Sequence, residues 1–331
     1  MRPTFLARLV NGPLFDPAVY VKLLNLRSAL MFDCGRFEGL SNREILCMDS
    51  IFISHLHMDH LMGLDQILRV ILHRDRPLNL YGPEGAIEKL TSRLGSYTWN
   101  LTRDYSLEIM IQEVHKDEII TCSALARNAF KPVLKGTLRR NGATIESRPF
   151  YSMDAVVLDH NVPCLGFLLQ EPFHINIRTS GIGEKGYTTG EWISDLKRLI
   201  LAGRMNEIIE VPISRGVVHK SVEELSHELV VISRGQKIAY ITDIRASDEN
   251  IAGIRKLADD VDILFIETYY LAERAYQAFE KAHLTASDAG KIAGMMHARK
   301  VIPMHISPRY HHRAHEVIGE LEEARAYSYQ C

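Results

Sequence analysis

The segment His55-Leu56-His57-Met58-Asp59-His60 brings three imidazoles and a carboxylate together within one short stretch. At the chain's own histidine and aspartate frequencies, roughly 0.0015 such matches arise by chance, so composition does not account for it. Imidazole nitrogen and carboxylate oxygen are ligands that zinc accepts, with manganese or iron as alternatives. On a tight loop, His55 and His57 can turn toward one point while Asp59 and His60 face a neighbouring one. These side chains do not fill two metal sites, so further ligands must come from elsewhere in the chain.

The flanking residues say how the loop is held. Ser50-Ile51-Phe52-Ile53-Ser54 has the content of a buried strand. Beyond the histidines, Leu61, Leu64, Ile67, Leu68, Ile71 and Leu72 recur at helical spacing. Three more candidate ligands stand at strand ends. His160 precedes the predicted strand Leu165–Gln170, Asp243 ends Lys237–Thr242, and His305 ends Val301–Met304.

Other strands are expected at Phe5–Val10, Tyr20–Leu24, Ala29–Asp33, Leu78–Tyr81 and Asp262–Ile266. Residues 104–150 predict antiparallel strands with loops at Lys135-Gly136 and Asn141-Gly142. Helices are expected over Asp248–Ala258, Leu271–Phe279, Thr285–His297 and Arg313–Ala326, with Thr285 as an N-cap and Asp288 three residues on. Residues 171–203 carry Gly181, Gly183, Gly186 and Gly190 before an amphipathic helix at Glu191–Leu201, and read as a protruding arm. The whole pattern is α/β. It fits one domain over residues 1–331, with two sheets flanked by helices and one insertion.

Composition narrows the class. The 331 residues are 46% hydrophobic and 24% charged, as in a globular protein, which argues against a disordered or fibrous chain. Lys+Arg of 39 against Asp+Glu of 41 means that a nucleic acid must be held by a local basic patch. The N-terminus has no apolar signal core, and no stretch approaches the ~20 apolar residues of a membrane span. That predicts no membrane partner, and the five cysteines, odd in number, widely spaced and without CxxC, predict free thiols in a reducing cytoplasm. Gly181-Ile182-Gly183-Glu184-Lys185-Gly186 matches GxGxxG without the strand-to-helix context of a dinucleotide site. His311, His312 and His315 read as an exposed helix start.

The order of motifs resembles the metallo-β-lactamase superfamily and, within it, the short form of the ribonuclease Z family. The residues that carry the likeness are Ser54 to His60 with Gly63, Asp159-His160-Asn161-Val162-Pro163, Tyr240-Ile241-Thr242-Asp243, Glu267-Thr268, Ala282-His283-Leu284-Thr285-Ala286 and His305-Ile306-Ser307-Pro308-Arg309-Tyr310. The likeness runs from about residue 28 to 312. It implies a four-layer αββα fold with two zinc ions at the sheet edges. His55, His57 and His160 would hold one ion, and Asp59, His60 and His305 the other, with Asp243 bridging them. Asp59 would also orient the attacking water or accept its proton. His283, paired with Glu267, would protonate the leaving oxygen, and Ser307 and Arg309 would contact phosphate.

Some of the loops depart from the family pattern. Asn11-Gly12-Pro13 stands for a glycine-rich loop, and Arg36-Phe37-Glu38-Gly39 for a Glu-Gly-Thr-Gln stretch. The bridging aspartate lies in Thr242-Asp243-Ile244, and Ile266 replaces a histidine. The 181–187 stretch replaces the usual Pro-Pro-Gly-Pro arm tip. The function implied is a zinc-dependent endoribonuclease trimming the 3′ ends of precursor tRNA, as a homodimer whose arm grips the RNA. The alternatives are hydrolysis of a small phosphodiester, phosphonate or aryl sulfate, and a paralogue that binds RNA or metal without turnover.

Overall fold

The computed structural model describes residues 4–24 and 26–328; Cys331 lies outside them. The first sheet is laid down in chain order by β1 (Phe5–Leu9), β2 (Val19–Leu23), β3 (Ser28–Phe32), β4 (Met48–Phe52), β5 (Leu78–Pro83), β6 (Glu108–Val114), β7 (Glu118–Leu125) and β8 (Pro132–Arg139). Helices α1 (Asn42–Leu46), α2 (Leu64–Ile71) and α3 (Ala86–Gly95) cover its outer face. The second sheet begins with β9 (Thr144–Arg148), β10 (Tyr151–Asp159) and β11 (Pro163–Gln170).

The chain then leaves this sheet for an inserted lobe of β12 (His174–Ile177), α4 (Thr179–Glu184), α5 (Trp192–Leu201), β13 (Ile208–Ile213), β14 (Gly216–Ser221), α6 (Val222–Leu229) and β15 (Val230–Ser233). It returns as β16 (Lys237–Ile241), α7 (Asp248–Leu257), β17 (Ile263–Glu267), α8 (Ala275–Glu280), α9 (Ala286–Met295), β18 (Lys300–Met304) and α10 (Ala314–Ser328). The second sheet has the order β18-β17-β16-β11-β10-β9.

Three apolar layers hold this stack together. Phe32, Phe52, Phe167, Tyr240 and Phe265 meet between the inner faces of the two sheets. Ile51, Ile67, Leu90 and Ile109 join the first sheet to its helices, and Ile241, Ile254, Leu264, Ile292 and Leu321 join the second sheet to α7, α9 and α10. The result is the expected αββα arrangement. Because β16, β17 and β18 run parallel, and β10 runs the same way as β16 through two antiparallel pairings, all four carboxyl ends reach one edge. There the end of β4 joins them, since the Leu165 amide donates to the Ser54 carbonyl at 2.8 Å.

Two sequence expectations are corrected. Lys135-Gly136 is no loop but lies inside β8, where the pairing with β7 shifts register between Thr121 and Cys122. Lys135 is the residue skipped in the register, and Gly136 beside it takes φ 148°, a conformation that favours glycine. The inserted segment also runs well past residue 203. Its apolar residues Ile182, Trp192, Leu196, Val211, Val222, Leu225 and Leu229 close a small core of their own, which needs the β13–β14 hairpin and α6 to complete it. Among the described residues, no helix is long and apolar enough to cross a membrane, and Cys34, Cys47, Cys122 and Cys164 are free thiols.

Candidate metal centre

The histidine run leaves β4 and closes into a single 3-10 turn at Met58–His60. This turn brings the side chains of His55, His57, Asp59 and His60 to the sheet edge, while Met58 faces solvent. His160 is delivered by the tight β10–β11 turn, in which Asn161 takes φ 60° and Asn250 clasps both backbone groups of Asp159, at 2.8 and 2.9 Å. Asp243 and His305 each follow a parallel strand and turn sharply, with φ 48° and 52°. Left-handed backbone at non-glycine residues costs of order 1–3 kcal/mol each and collects at functional sites. Here it falls on two candidate ligands and on Asp33, at φ 49°.

The structure gathers all seven candidate ligands at this edge. One atom each from His55, His57 and His160 lie within 4.8 Å of one another, as do those of Asp59, His60 and His305. Asp243 sits between the two groups. Its Oδ1 is 3.9 Å from His160 Nε2 and 3.3 Å from His305 Nε2, and its Oδ2 is 3.0 Å from His60 Nε2. Asp59 Oδ2 lies 3.5 Å from His305 Nε2 and 3.7 Å from His60 Nε2.

The surroundings fix which nitrogen faces inward. Asp33 Oδ2 receives His60 Nδ1 at 2.7 Å, and the Ala282 carbonyl receives His160 Nδ1 at 2.6 Å. A carboxylate or carbonyl behind one ring nitrogen leaves the other as a lone pair for a cation. Asp33 is itself locked by the Ser54 amide at 2.6 Å, and by the Ser54 and Tyr240 hydroxyls, each at 2.7 Å.

One of the inward atoms, His55 Nε2, is buried without a hydrogen-bond partner. Such an orphaned atom costs roughly 1–3 kcal/mol. A divalent cation would remove that penalty, so the nitrogen and oxygen donor set fits a metal.

The electrostatics divide the candidate ligands, and where carboxylates favour a charged imidazole they would favour a bound cation in its place. Burial, reinforced by His60, drives His55 well below the ordinary histidine pKa, and burial with His160 lowers that of His57, which favours the neutral form that ligands need. Burial opposes a charge on His60, but Asp33 and Asp243 outweigh it and hold its pKa well above the ordinary value. Asp243 is also buried, yet His305 and His60 hold its carboxyl well below the usual range.

His283 lies beside this cluster, just before the Thr285 capping box of α9. Its Nδ1 is 2.7 Å from Glu267 Oε1 and 3.1 Å from Asp243 Oδ1. Burial works against the imidazolium, but Glu267 and Asp243 outweigh it and carry the pKa up to about 10. Glu267 Oε1 also accepts the Leu284 amide at 3.0 Å, which ties the loop to the end of β17.

Ser307 and Arg309 sit one turn beyond His305. Ser307 Oγ accepts Arg309 Nε at 3.2 Å, and the exposed guanidinium lies 5.0 Å from the centre of the Tyr270 ring. Sequence reasoning assigned no role to Asp33 or Tyr269, nor to Ser54 and Tyr240, although these last two stand inside the motifs. The signal for Asp33 was present, as a strand ending on Asp33-Cys34-Gly35 at the same edge.

The chain matches the beta-lactamase superfamily domain over residues 38–172 and 205–306. It is 31% identical over 310 residues to a ribonuclease Z of Deinococcus radiodurans, covering 92% of this chain and 90% of that one. Among solved structures, it resembles the long form RNase Z from yeast at TM-score 0.53 and 12% identity, covering 93% of this chain and 38% of that one. The metallo-beta-lactamase fold protein YhfI from Bacillus subtilis gives TM-score 0.52 at 12% identity, over 97% of this chain and 92% of the other.

Proposed function

The chain belongs to the β-lactamase superfamily and, within it, to the ribonuclease Z family, and on that premise we propose that this metal-dependent hydrolase removes 3′ extensions from precursor tRNA. The observation that carries the reading is His283, held 2.7 Å from Glu267 and 3.1 Å from the candidate bridging carboxylate of Asp243. A ribose oxygen is a poor leaving group, and its departure calls for a proton donor at that place.

In this reading His55, His57 and His160 hold one zinc ion, Asp59, His60 and His305 the other, and Asp243 reaches both. Bound there, the cations supply Lewis acidity toward the phosphoryl oxygens and acidify water. Asp59, whose side chain is 42% exposed, orients the attacking water and takes up its proton. His283 gives its proton to the leaving oxygen, and Glu267 keeps the ring oriented. Ser307 and Arg309 bind the scissile phosphate. The inserted lobe, bearing Arg178, Lys185, Lys197, Arg198 and Arg204, contacts the tRNA in a homodimer. Free thiols at Cys34 and Cys164 suit a reducing cytoplasm.

The test is incubation of the zinc-loaded protein with a 3′-extended precursor tRNA and, in parallel, with bis(p-nitrophenyl) phosphate. Cleavage of the precursor near its discriminator base, lost in His283→Ala with bound metal retained, supports the proposal. Hydrolysis of the small ester with no cut in the RNA overturns the tRNA assignment and moves the substrate to a small phosphodiester.

A further inference from the structure

Tyr269 immediately follows Glu267-Thr268 at the end of β17. Its ring lies flat on His283, with centroids 4.0 Å apart and planes 10° from parallel. Its other contacts hold it in that plane. It meets His305 edge-on at 5.3 Å and Tyr270 edge-on at 4.9 Å, and the Ser307 hydroxyl lies beside its phenol. The backbone is pinned as well. The Tyr269 carbonyl accepts the Ser307 amide at 3.3 Å, the Tyr270 amide donates to the Leu284 carbonyl at 3.1 Å, and the Ala286 amide donates to the Tyr270 carbonyl at 2.7 Å.

The hydrogen bond to Glu267 does not by itself define where His283 points. Nδ1 meets Glu267 at 2.7 Å and Asp243 Oδ1 at 3.1 Å, but one ring atom makes both contacts, and a tilt of the ring about that atom would carry Nε2 through an arc. A flat aromatic surface against one face of the imidazole blocks that tilt. With Nδ1 taken by Glu267 and Asp243 and one face taken by Tyr269, the remaining edge, which carries Nε2, keeps one direction. Displacements on the order of 1 Å at a reacting group can cost about 100-fold in rate, so the stack has something to protect.

We propose that Tyr269 is a positioning residue, whose ring sets the plane of His283 so that Nε2 meets the leaving oxygen of the substrate. The inference rests on the proposed reading of His283 as the proton donor. It adds to that reading a residue that touches neither the cleaved bond nor a cation. Arg309 extends the same wall, since its Nε is bonded to Ser307 and its guanidinium faces the Tyr270 ring. The phosphate-binding side of the site and the proton-donating side are thereby built on one pair of tyrosines.

The experiment uses the full-length zinc-loaded protein and a series of aryl methyl phosphodiesters, from p-nitrophenyl to unsubstituted phenyl. A p-nitrophenolate departs without a proton, whereas a phenolate gains from one. In the wild type, the rate should depend weakly on leaving-group acidity. In Tyr269→Leu it should depend steeply, with the p-nitrophenyl ester within about 3-fold of wild type and the phenyl ester at least about 10-fold slower. KM and metal content should be unchanged, His283→Ala should show the same steep dependence, and Tyr269→Phe, which keeps the flat ring, should restore the shallow one.

An equal loss across the series, or lost metal, would mean that Tyr269 supports the fold or the ligands, and would overturn the inference. A change confined to KM would do so as well, by making Tyr269 a substrate contact, and so would an unaltered profile. The series reports on Tyr269 even if precursor tRNA is not the substrate. Failure of the wild type to hydrolyse any of the esters would instead remove the phosphodiesterase reading, and this inference with it.

Discussion

Asp33 is the residue on which the candidate centre leans most without supplying a ligand. It is fully buried and accepts from His60, Ser54 and Tyr240, all within 2.7 Å. Loss of such a partner behind a metal ligand typically lowers affinity about 10–100-fold. We therefore expect Asp33→Asn, which tolerates the left-handed backbone and keeps the shape, to fold while binding zinc about 10–100-fold more weakly in a chelator competition. Affinity unchanged from wild type would remove Asp33 from the account.

The candidate ligands were legible because each is a chemically distinctive residue at the end of a strand that apolar content announces. Asp33 gave a signal without a role, and Tyr269 gave no signal, for different reasons. An aspartate after a strand is ordinary until its partner, His60, is known to lie opposite. The stack of Tyr269 on His283 joins residues separated by a helix, and no spacing rule connects them.

At the scale of elements, the site depends on how closely α9 and α10 approach, because the capped end of α9 continues the His283 loop. Gly290 sets that approach. A Cβ there would lie 2.3 Å from the Leu321 carbonyl oxygen and 2.8 Å from the Ala324 Cβ, neither of which can swing aside. Gly290→Ala should lower unfolding free energy by about 1–3 kcal/mol in urea titration, and an unchanged midpoint would show that the helices part freely.

The inserted lobe is a separate matter. Gln170 and Lys237 are direct antiparallel partners, so the sheet is continuous across the base of the insertion. Replacing residues 174–233 with a short turn should leave hydrolysis of bis(p-nitrophenyl) phosphate within about 3-fold, because the candidate ligands and His283 lie outside the lobe, while weakening precursor tRNA binding at least about 10-fold. Retained RNA affinity would refute a gripping role. The two sheets and their helices could be read from strand content and helical spacing. The lobe's extent could not, because its core joins Trp192 and Leu196 of α5 to Val211 and Leu225, which lie beyond a loop and a hairpin that no period bridges.

For the whole molecule, the two sheets form a rigid sandwich that brings residues from positions 55 to 305 to one edge, and the cations would close that edge. A ligand that binds only the folded chain stabilises it in proportion to the logarithm of its concentration over Kd. Stripping the metal with a chelator should therefore lower Tm by several degrees, and zinc should restore it, since the buried Nε2 of His55 then regains a partner. No shift in Tm would mean that the cluster stays unfilled in solution.

The most direct test of the whole account is the number of divalent ions retained per chain, measured by mass spectrometry after gel filtration, in the wild type and in Asp243→Ala. The account predicts two ions in the wild type and loss from both positions in the variant, because Asp243 faces both groups of histidines at 3.0 to 3.9 Å. A wild type that holds none, or a variant that keeps both, would contradict it.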